Sequence, residues 1–255
     1  MLATILTGNE EGWWFVISDQ MLWLPKGQIP LGRAEQWRLK GSQAYQIGQW
    51  QEQPVWLVQQ YKQSELVTFR SLLTCDQAVF HFASRALQLS AFCQNYRFCH
   101  HCGQPMQPSV DEWAFICLQC NNLYYPPISP AIIVAIRDND KLLLARHRRH
   151  NGMMSTVLAG FVEVGETLEQ TVHREVMEET GLTITNLRYF GSQSWPFPHA
   201  LMVAFLADYQ SGDLMLDPNE LLSAQWYYHD ALPHDLPPEG TIARQLIETS
   251  CSLCQ

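Results

Sequence analysis

The stretch GFVEVGETLEQTVHREVMEETGL, Gly160–Leu182, decides the fold of this 255-residue chain. Its apolar residues recur at helical intervals, at Leu168, Val172 and Val176. This pattern predicts a helix that begins near Thr167 and packs its apolar stripe on a sheet. Gly181 predicts the end of the helix, because glycine readily adopts the left-handed conformation that closes one. A strand, a loop and a helix are therefore expected here.

The same helix carries three carboxylates on one face. Glu175, Glu178 and Glu179 are three and four positions apart, so they fall within an arc of about 100°. Carboxylates packed this closely repel one another unless cations neutralise them, and their hard oxygen atoms suit Mg²⁺ or Mn²⁺. A solvated acidic helix face would also explain the charges, but it would not explain the strand, loop and helix around them.

The fixed positions of the stretch resemble the Nudix box of the Nudix hydrolases. They are Gly160, Glu166, Arg174, Glu175, Glu178, Glu179 and Gly181. The resemblance implies an α/β/α sandwich around a mixed sheet. It also implies cleavage, with more than one Mg²⁺ or Mn²⁺ ion, of a nucleoside diphosphate linked to another moiety X.

The resemblance also assigns roles around the box. The implied ligands of Mg²⁺ or Mn²⁺ are the carbonyl of Ala159 and the carboxylates of Glu175, Glu179 and Glu220. Arg174 would orient the glutamates, and Glu166 would support the loop. Bound metal would lower the pKa of a water molecule, and a neighbouring carboxylate, for which Glu178 is one candidate, would accept its proton. Without the resemblance, Glu220 reads equally well as a carboxylate at the start of a helix.

Four cysteines form a second motif in two C-x2-C pairs. They are Cys99, Cys102, Cys117 and Cys120. Two such turns bring four thiolates to one Zn²⁺ at about 2.3 Å and leave no open position, so we expect one structural zinc ion. His100 and His101 are alternative ligands, which the complete cysteine set makes unnecessary.

A stiff aromatic segment, SQSWPFPHA, follows the box at Ser192–Ala200. Pro196 and Pro198 restrict its backbone, while Trp195 and Phe197 offer flat apolar faces that suit a purine or nicotinamide ring. The alternative is a core aromatic cluster at the end of a strand. Phe161, inside the box, is likewise a candidate for ring stacking or for core packing.

This segment is similar to the motif S-Q-P-W-P-F-P-x-S of the NADH pyrophosphatase subgroup, from which it departs at Ser194 and Ala200. The resemblance implies a homodimer that hydrolyses NADH, and less efficiently NAD⁺, to NMNH or NMN plus AMP. It also implies removal of the NAD cap from RNA, which leaves a 5′-monophosphate. The implied substrate contacts are Lys26, Arg70, Tyr125, Phe161, Gln193, Ser194, Trp195, Pro196, Phe197, Pro198, His199, Ala200 and Ala243.

The chain is expected to divide into an N-terminal α+β domain at 1–96, the zinc ribbon at 97–127 and the catalytic domain at 128–255. A capping-box spacing at Thr74 and Gln77 predicts a helix that runs to about residue 96, and another helix is expected from Thr241. Two similar hairpins, one in each large domain, suggest that the N-terminal domain is a degenerate Nudix-like fold.

Composition limits the function classes. A net charge of −9 disfavours passive binding to nucleic-acid phosphates, and DNA is not expected as a partner. The chain lacks an apolar run of membrane-spanning length and a secretory signal, so a cytoplasmic protein without a membrane partner is expected. The paired cysteines then indicate metal binding in a reducing compartment.

Three alternatives stay open at this stage. Another Nudix substrate, such as ADP-ribose or a dinucleoside polyphosphate, would need the glutamates but not Trp195 and Phe197. A catalytically dead zinc-ribbon protein that binds RNA as a regulator would not need intact glutamates. A purely structural interaction protein would not need three clustered carboxylates at all.

Overall fold

The computed structural model describes residues 3–60, 62, 64–150 and 154–252. They belong to two compact units, Met1–Pro127 and Ile128–Gln255. In the described part of the chain, no helix is both long and apolar enough to cross a membrane. The finer division into domains at 1–96, 97–127 and 128–255 stays a prediction.

The N-terminal unit contains one α-helix and two sheets in its described residues. The helix is α1 (Gln77–Asn95), and short 3-10 helices lie at Pro25–Gly27, Ala34–Trp37 and Phe69–Leu72. The strands are β1 (Ala3–Ile5), β2 (Glu11–Ser18), β3 (Met21–Trp23), β4 (Leu31–Arg33), β5 (Gln43–Trp50), β6 (Gln53–Gln59), β7 (Leu66–Val67), β8 (Gln107–Pro108), β9 (Phe115–Ile116) and β10 (Leu123–Tyr124). The larger sheet has the order β1-β5-β6-β2-β3-β7, with β4 paired to β2, and the small sheet has the order β10-β9-β8.

The C-terminal unit is built on one mixed sheet. Its strands are β11 (Ser129–Asp138), β12 (Lys141–His147), β13 (Leu158–Phe161), β14 (Thr183–Trp195), β15 (Ala200–Ser211) and β16 (Leu221–Tyr228). Its helices are α2 (Leu168–Thr180), α3 (Ile242–Ser252) and the 3-10 helix Arg148–His150. The order is β14-β15-β11-β12-β16, with β13 paired to β11; β11 and β15 run parallel.

A helix packs on each face of this sheet. Successive side chains of β11 point to opposite faces, so this strand offers apolar residues to both helices. One face buries Ile132 and Val134 with Val172 and Val176 of α2. The other buries its apolar residues against the stripe of α3, which consists of Ile242, Leu246 and Ile247. Each fully buried side chain of this size contributes roughly 1.5–3 kcal/mol. The expected α/β/α sandwich is therefore confirmed, with the glutamate helix on one side.

The larger sheet of the N-terminal unit repeats this connectivity. Strands β2, β3, β4, β5, β6 and β7 pair as β11, β12, β13, β14, β15 and β16 do, including the parallel pair β2–β6. Helix α1 follows the last of these strands, as α3 does. In the place of α2, however, the chain makes only the 3-10 helix Ala34–Trp37. The N-terminal unit thus has the strand order of the sandwich without its glutamate helix, as expected of a degenerate copy.

The capping box predicted at Thr74 and Gln77 is wrong. Helix α1 begins at Gln77, and Asp76 caps it by accepting a hydrogen bond from the Ala78 N–H at 2.8 Å. Aspartate caps a helix at least as well as threonine, so the start lies two residues later than the spacing suggested. The predicted start of the last helix at Thr241 agrees, because its hydroxyl accepts from the Arg244 N–H at 3.2 Å.

Candidate active site

Caps define both ends of α2. Thr167 accepts a hydrogen bond from the Gln170 N–H at 3.2 Å, and the Gln170 side chain accepts one from the Thr167 N–H at 2.8 Å. Gly181 closes the helix with a φ of 72°, a conformation that favours glycine. The helix is thus defined within narrow bounds, and it presents its carboxylates beside the end of β13.

Glu179 is a buried carboxylate that lacks a counterion at contact distance in the described residues. Only 4% of the residue is exposed, and its Oε2 has no hydrogen-bond partner. Burial raises the pKa of Glu179 to about 8, with further contributions from the charges of Glu175, Glu220 and Asp217, whereas Arg149 lowers it. Such an oxygen is costly to bury without a partner. Its surroundings fit a divalent cation, which would complete this site.

Arg174 organises the remaining carboxylates. Its Nε and Nη2 donate to both oxygens of Glu166 at 2.6 and 2.9 Å, and its Nη1 donates to Glu175 at 2.8 Å and to Glu178 at 3.0 Å. Its Nη2 also donates to the carbonyl of Phe161 at 3.0 Å. One guanidinium therefore ties the loop, the strand and the helix together, in agreement with the orienting role that the resemblance implies.

Glu166, which accepts hydrogen bonds from the Arg174 guanidinium, is held in its ionised form. The Arg174 guanidinium, together with the Glu163 N–H and the Thr171 hydroxyl, holds the pKa of Glu166 at about 2, while burial opposes the shift. The N–H donates at 3.0 Å and the hydroxyl at 2.8 Å. Both partners keep their charge at neutral pH, which stabilises the geometry of the loop.

Gly160 leaves room for the carboxylate of Glu175. A Cβ atom at this position would overlap both the Cδ and the carboxylate oxygens of Glu175. The backbone of Gly160 needs no left-handed φ, so this close approach is the reason for glycine here. Burial raises the pKa of Glu175, the Arg174 contact opposes the shift, and Glu178 and Glu220 add to it.

We expect Gly160→Ala to lower hydrolytic activity by at least ~100-fold, because the new methyl group displaces the Glu175 carboxylate, a loss of roughly 3 kcal/mol. Steady-state kinetics with saturating metal measure the effect. Gly165→Ala is the matched control: Gly165 has open space around its Cβ position, although its φ of 92° adds some strain. Equal activity of Gly160→Ala and the parent chain would contradict the proposed crowding.

Sequence reasoning missed two charged residues of the site. Arg149 Nη2 donates to the carbonyl of Ala159 at 3.2 Å. The carbonyl that is expected to bind metal therefore accepts a hydrogen bond from a cationic side chain. Asp217 lies close enough to raise the pKa of Glu179, and its N–H donates to the Glu179 carbonyl at 3.1 Å. Arg149 lies in a basic run and Asp217 in a loop between strands. At neither position does the surrounding sequence form a motif that indicates a catalytic or metal-binding residue.

Glu220 lies in the turn that leads into β16, and the alternative that it starts a helix is wrong. Its N–H donates to the Asp217 carbonyl at 3.2 Å, and its carbonyl accepts from the Arg148 N–H at 2.9 Å. The side chain is exposed, and its charge raises the pKa of both Glu175 and Glu179. Glu220 is thus an electrostatic neighbour of both glutamates of α2. Among the described residues, the ligand atoms close enough to share one ion are those of the four cysteines, and the role of the three carboxylates as metal ligands stays a prediction.

The aromatic segment forms the tip of the β14–β15 hairpin. Strand β14 extends through Trp195, which pairs with Ala200, so only four residues form the turn. The rings of Trp195 and Phe197 meet edge to face, with centroids 5.2 Å apart, and both are half-buried. Pro196 and Ala200 are buried, whereas Ser194 and Pro198 are exposed. His199 is half-buried and its carbonyl accepts a hydrogen bond from the Ser129 N–H at 2.9 Å.

The side chain of Gln193 connects this hairpin to α3. Its amide donates to the Gly240 carbonyl at 2.8 Å and accepts from the Ile242 N–H at 2.9 Å. Gln193 therefore caps the helix that carries Ala243. Phe161, at the end of β13, is 53% exposed, which leaves its ring available for stacking.

The other predicted substrate contacts belong to the N-terminal unit. Lys26 and Arg70 have exposed side chains, and the N–H of Lys26 donates to Glu65 at 2.9 Å. Tyr125 is 52% exposed, and its hydroxyl donates to Glu112 at 3.0 Å. That contact raises the pKa of Tyr125.

The four cysteines of the ribbon come together in two equivalent turns. The Gly103 N–H donates to the Cys99 carbonyl and the Asn121 N–H to the Cys117 carbonyl, at 2.9 and 2.8 Å. Gly103 and Asn121 have φ angles of 73° and 56°, which lets each turn fold back on its cysteines. The two C-x2-C motifs thus adopt the same backbone turn.

The sulfur positions fit a tetrahedral zinc ion. The four Sγ atoms, of Cys99, Cys102, Cys117 and Cys120, all lie within 4.8 Å of one another, and three of the pairs are 3.5–3.7 Å apart. Tetrahedral Zn²⁺ at 2.3 Å from each sulfur requires separations of about 3.8 Å. His100 stacks near Tyr96 and Tyr124 and is not part of the cluster.

Comparisons with known proteins agree with these two sites. Residues 127–249 match the NUDIX domain model, and residues 94–125 match the model of the NADH pyrophosphatase zinc ribbon domain. The chain is 56% identical over 250 residues to the NAD-capped RNA hydrolase NudC of Yersinia pseudotuberculosis serotype O:1b (strain IP 31758). The aligned residues cover 98% of this chain and 96% of the relative. This chain is 55% identical over the same length to NudC of Yersinia pestis (strain Pestoides F), with the same coverage.

One solved structure supports the fold alone. The crystal structure of a NUDIX hydrolase from Nitrosomonas europaea superposes with a TM-score of 0.52 at 21% identity, over 61% of this chain and 90% of that chain.

Proposed function

Because this chain belongs to the Nudix hydrolases, and within them to the family of the NAD-capped RNA hydrolases NudC, we propose that it hydrolyses the pyrophosphate bond of NADH and NAD⁺ and removes the NAD cap from RNA. The observation that carries the proposal is the Glu179 carboxylate, buried with an unpartnered oxygen beside Glu175. This arrangement suits a metal-dependent hydrolase, and a catalytically dead regulator has no use for it.

The donor set fits divalent metal. Mg²⁺ or Mn²⁺, when bound by Glu175, Glu179 and Glu220 with the Ala159 carbonyl, would neutralise the pyrophosphate oxygens and lower the pKa of the attacking water. Mg²⁺ and Mn²⁺ both prefer such oxygen ligands. We propose more than one ion because the family resemblance implies it.

The chain's own residues orient the reaction. Arg174 keeps Glu175 in place through its 2.8 Å contact, while Glu166 keeps Arg174 in place. We assign to Glu178, whose side chain is 59% exposed, the role of accepting the water proton and passing it to solvent. Water then adds across the P–O–P bridge. The products are AMP with NMNH or NMN. When the AMP moiety begins an RNA chain, the products are NMN and a 5′-monophosphate RNA.

The aromatic residues supply selectivity for the dinucleotide. The exposed ring of Phe161 lies at the end of the strand that carries Ala159 and Gly160, next to the carboxylates. Trp195 offers a second flat face, and the hairpin pairing and the prolines hold it rigid. We assign both rings to base recognition, Trp195 to the nicotinamide ring that ADP-ribose lacks, with Lys26, Arg70 and Tyr125 as further substrate contacts implied by the family.

Trp195→Ala tests the substrate class. We expect kcat/KM for NADH to fall about 10- to 100-fold, since a stacking contact is worth about 1–3 kcal/mol, and kcat/KM for ADP-ribose to change much less. Tyr189→Ala removes another exposed aromatic side chain from the same strand and serves as the control. Equal losses for NADH and ADP-ribose would contradict a nicotinamide contact and place Trp195 against the AMP half that both substrates share.

Two further assignments belong to the proposal. The family resemblance supports a homodimer, and four clustered thiols support a reducing compartment such as the cytoplasm. Analytical ultracentrifugation of the purified chain measures the first.

A further inference from the structure

A cavity of about 310 Å³ opens on the N-terminal unit. Trp23 lies at the end of β3, Trp37 and Arg38 at the end of the 3-10 helix after β4, and Lys62 and Glu65 in the segment before β7. We call this cavity the N-terminal pocket. None of these five residues belongs to the catalytic box, the ribbon or the aromatic hairpin.

The three segments that line the N-terminal pocket are the counterparts of those that build the catalytic site. Strands β3, β4 and β7 correspond by pairing to β12, β13 and β16. In the C-terminal unit, the segments after β12, after β13 and before β16 carry Arg149, the glutamates of α2 and Glu220. The pocket therefore occupies the position of an active site in the degenerate copy of the fold.

The charge of this position is reversed. Carboxylates line the catalytic site. At the corresponding place in the N-terminal unit, the cations Arg38 and Lys62 line the pocket. Glu65 is the one carboxylate among the described lining residues, and it accepts a hydrogen bond from the Lys26 N–H. Burial and then the charge of Arg38 lower the pKa of Lys62, because the two cations share one cavity. An anion between them would relieve this repulsion without any metal ion.

Two tryptophans form the apolar part of the pocket. Trp23 and Trp37 are half-buried and meet edge to face, with centroids 6.2 Å apart. The indole N–H of Trp37 donates to the Leu31 carbonyl at 3.1 Å, which fixes its ring. The ammonium of Lys62 lies 4.2 Å from the centroid of the Trp23 ring. Rigid aromatic faces beside cations are the combination that binds nucleotides through base stacking and phosphate contact.

We propose that the N-terminal pocket binds one nucleoside monophosphate, free or within single-stranded RNA, with its phosphate on Arg38 and Lys62 and its base against Trp37 and Trp23. The cavity volume lies at the lower end of the range for small-molecule sites, which suits one nucleotide. Binding needs neither divalent metal nor the catalytic glutamates. The inference therefore goes beyond the proposed hydrolysis and does not depend on it.

The test measures binding to the full chain by isothermal titration calorimetry, in the Glu179→Gln background and without added divalent cation. The probes are AMP, adenosine, ribose 5-phosphate and a five-nucleotide RNA without a cap. We expect AMP to bind at least ~10-fold more tightly than adenosine or ribose 5-phosphate, because each of these lacks one of the two contacts. RNA bound more tightly than AMP identifies an RNA chain as the ligand, and AMP bound more tightly than RNA identifies the free nucleotide. Equal affinity shows that the pocket binds one nucleotide in either form.

Two sets of variants locate the binding. The double change Arg38→Gln and Lys62→Gln should weaken AMP binding by at least ~10-fold, and Trp37→Ala by a similar factor. The control is Lys40→Gln with Arg85→Gln, which removes two exposed cations of the same unit outside the pocket and changes the net charge equally. Melting temperatures verify that each variant folds. The first pair replaces the exposed Arg38 and the half-buried Lys62 by a polar side chain, so its result stands even where Trp37→Ala loses stability.

Three results would overturn the inference: no binding of AMP or RNA, equal affinity in the Arg38/Lys62 variant, or an equal loss in the control. Hydrolysis of NADH by the unmodified chain is assayed separately. A chain that binds AMP in the pocket but leaves NADH intact contradicts the proposed function alone. A chain that hydrolyses NADH but binds no nucleotide in the pocket contradicts this inference alone.

Discussion

Glu179→Gln is expected to lower kcat for NADH hydrolysis by a factor on the order of 10³, because a metal-binding charge worth several kcal/mol is lost at almost constant volume. Steady-state kinetics at saturating Mn²⁺ measure this loss. Glu169→Gln is the matched control, since Glu169 is an exposed carboxylate in the first turn of the same helix. Turnover by Glu179→Gln within about tenfold of the parent would contradict the assigned role of Glu179.

The same variant should be at least as stable as the parent in the absence of divalent metal. The pKa of Glu179 is raised from 4.5 to about 8 by burial, so the folded chain binds its proton more tightly than the unfolded chain does. This group stabilises the fold fully below about pH 4.5, and its contribution is lost as the pH rises to about 8. The melting temperature of Glu179→Gln minus that of the parent should therefore increase between pH 5 and pH 8. Calorimetry measures the difference, and a decrease would contradict the assignment.

Cys99→Ser is expected to release the zinc ion and to lower the melting temperature by roughly 6–12 °C, which corresponds to a loss of about 3 kcal/mol in a chain of this size. Cys99 is almost fully buried, and its sulfur lies 3.5 Å from that of Cys120, so a serine hydroxyl neither fills the site nor binds zinc comparably. Metal analysis by mass spectrometry and calorimetry measure both effects.

Cys75→Ser is the control for this change, because Cys75 is an exposed thiol of the same unit outside the cluster. It should leave both the zinc content and the melting temperature unaltered. Full zinc content in Cys99→Ser, with an unchanged melting temperature, would show that the ribbon does not depend on this thiolate.

The fold of the C-terminal unit was predictable because the sequence patterns that indicate it lie within single helices and turns. The apolar stripe of α2, its start at Thr167 and its end at Gly181 depend on neighbours within one helix. The ribbon was predictable for the same reason, since each C-x2-C turn closes on itself. The resemblance to a family supplied the chemistry, and the sequence alone indicated only that closely packed carboxylates need cations.

The parts that sequence reasoning missed depend on contacts between different elements of the chain. Arg149 reaches the Ala159 carbonyl from the 3-10 helix after β12, and Asp217 reaches Glu179 from a loop nearly forty residues later. The N-terminal pocket combines Trp23, Trp37 and Lys62, which no spacing rule connects. Its relation to the catalytic site becomes visible only through the strand pairing. At Thr74 the error was different, because two residues could cap one helix and the closer one, Asp76, does so.

The most direct test of the central claim is the identification of the products that the purified chain forms from NADH in the presence of Mn²⁺ or Mg²⁺. Liquid chromatography with mass spectrometry, in water enriched in ¹⁸O, measures both the products and the position of the new oxygen. We predict NMNH and AMP in equal amounts, with the label in a phosphate group of one product, because water adds across the P–O–P bridge. Release of the nicotinamide base with ADP-ribose, or intact NADH, would contradict the account.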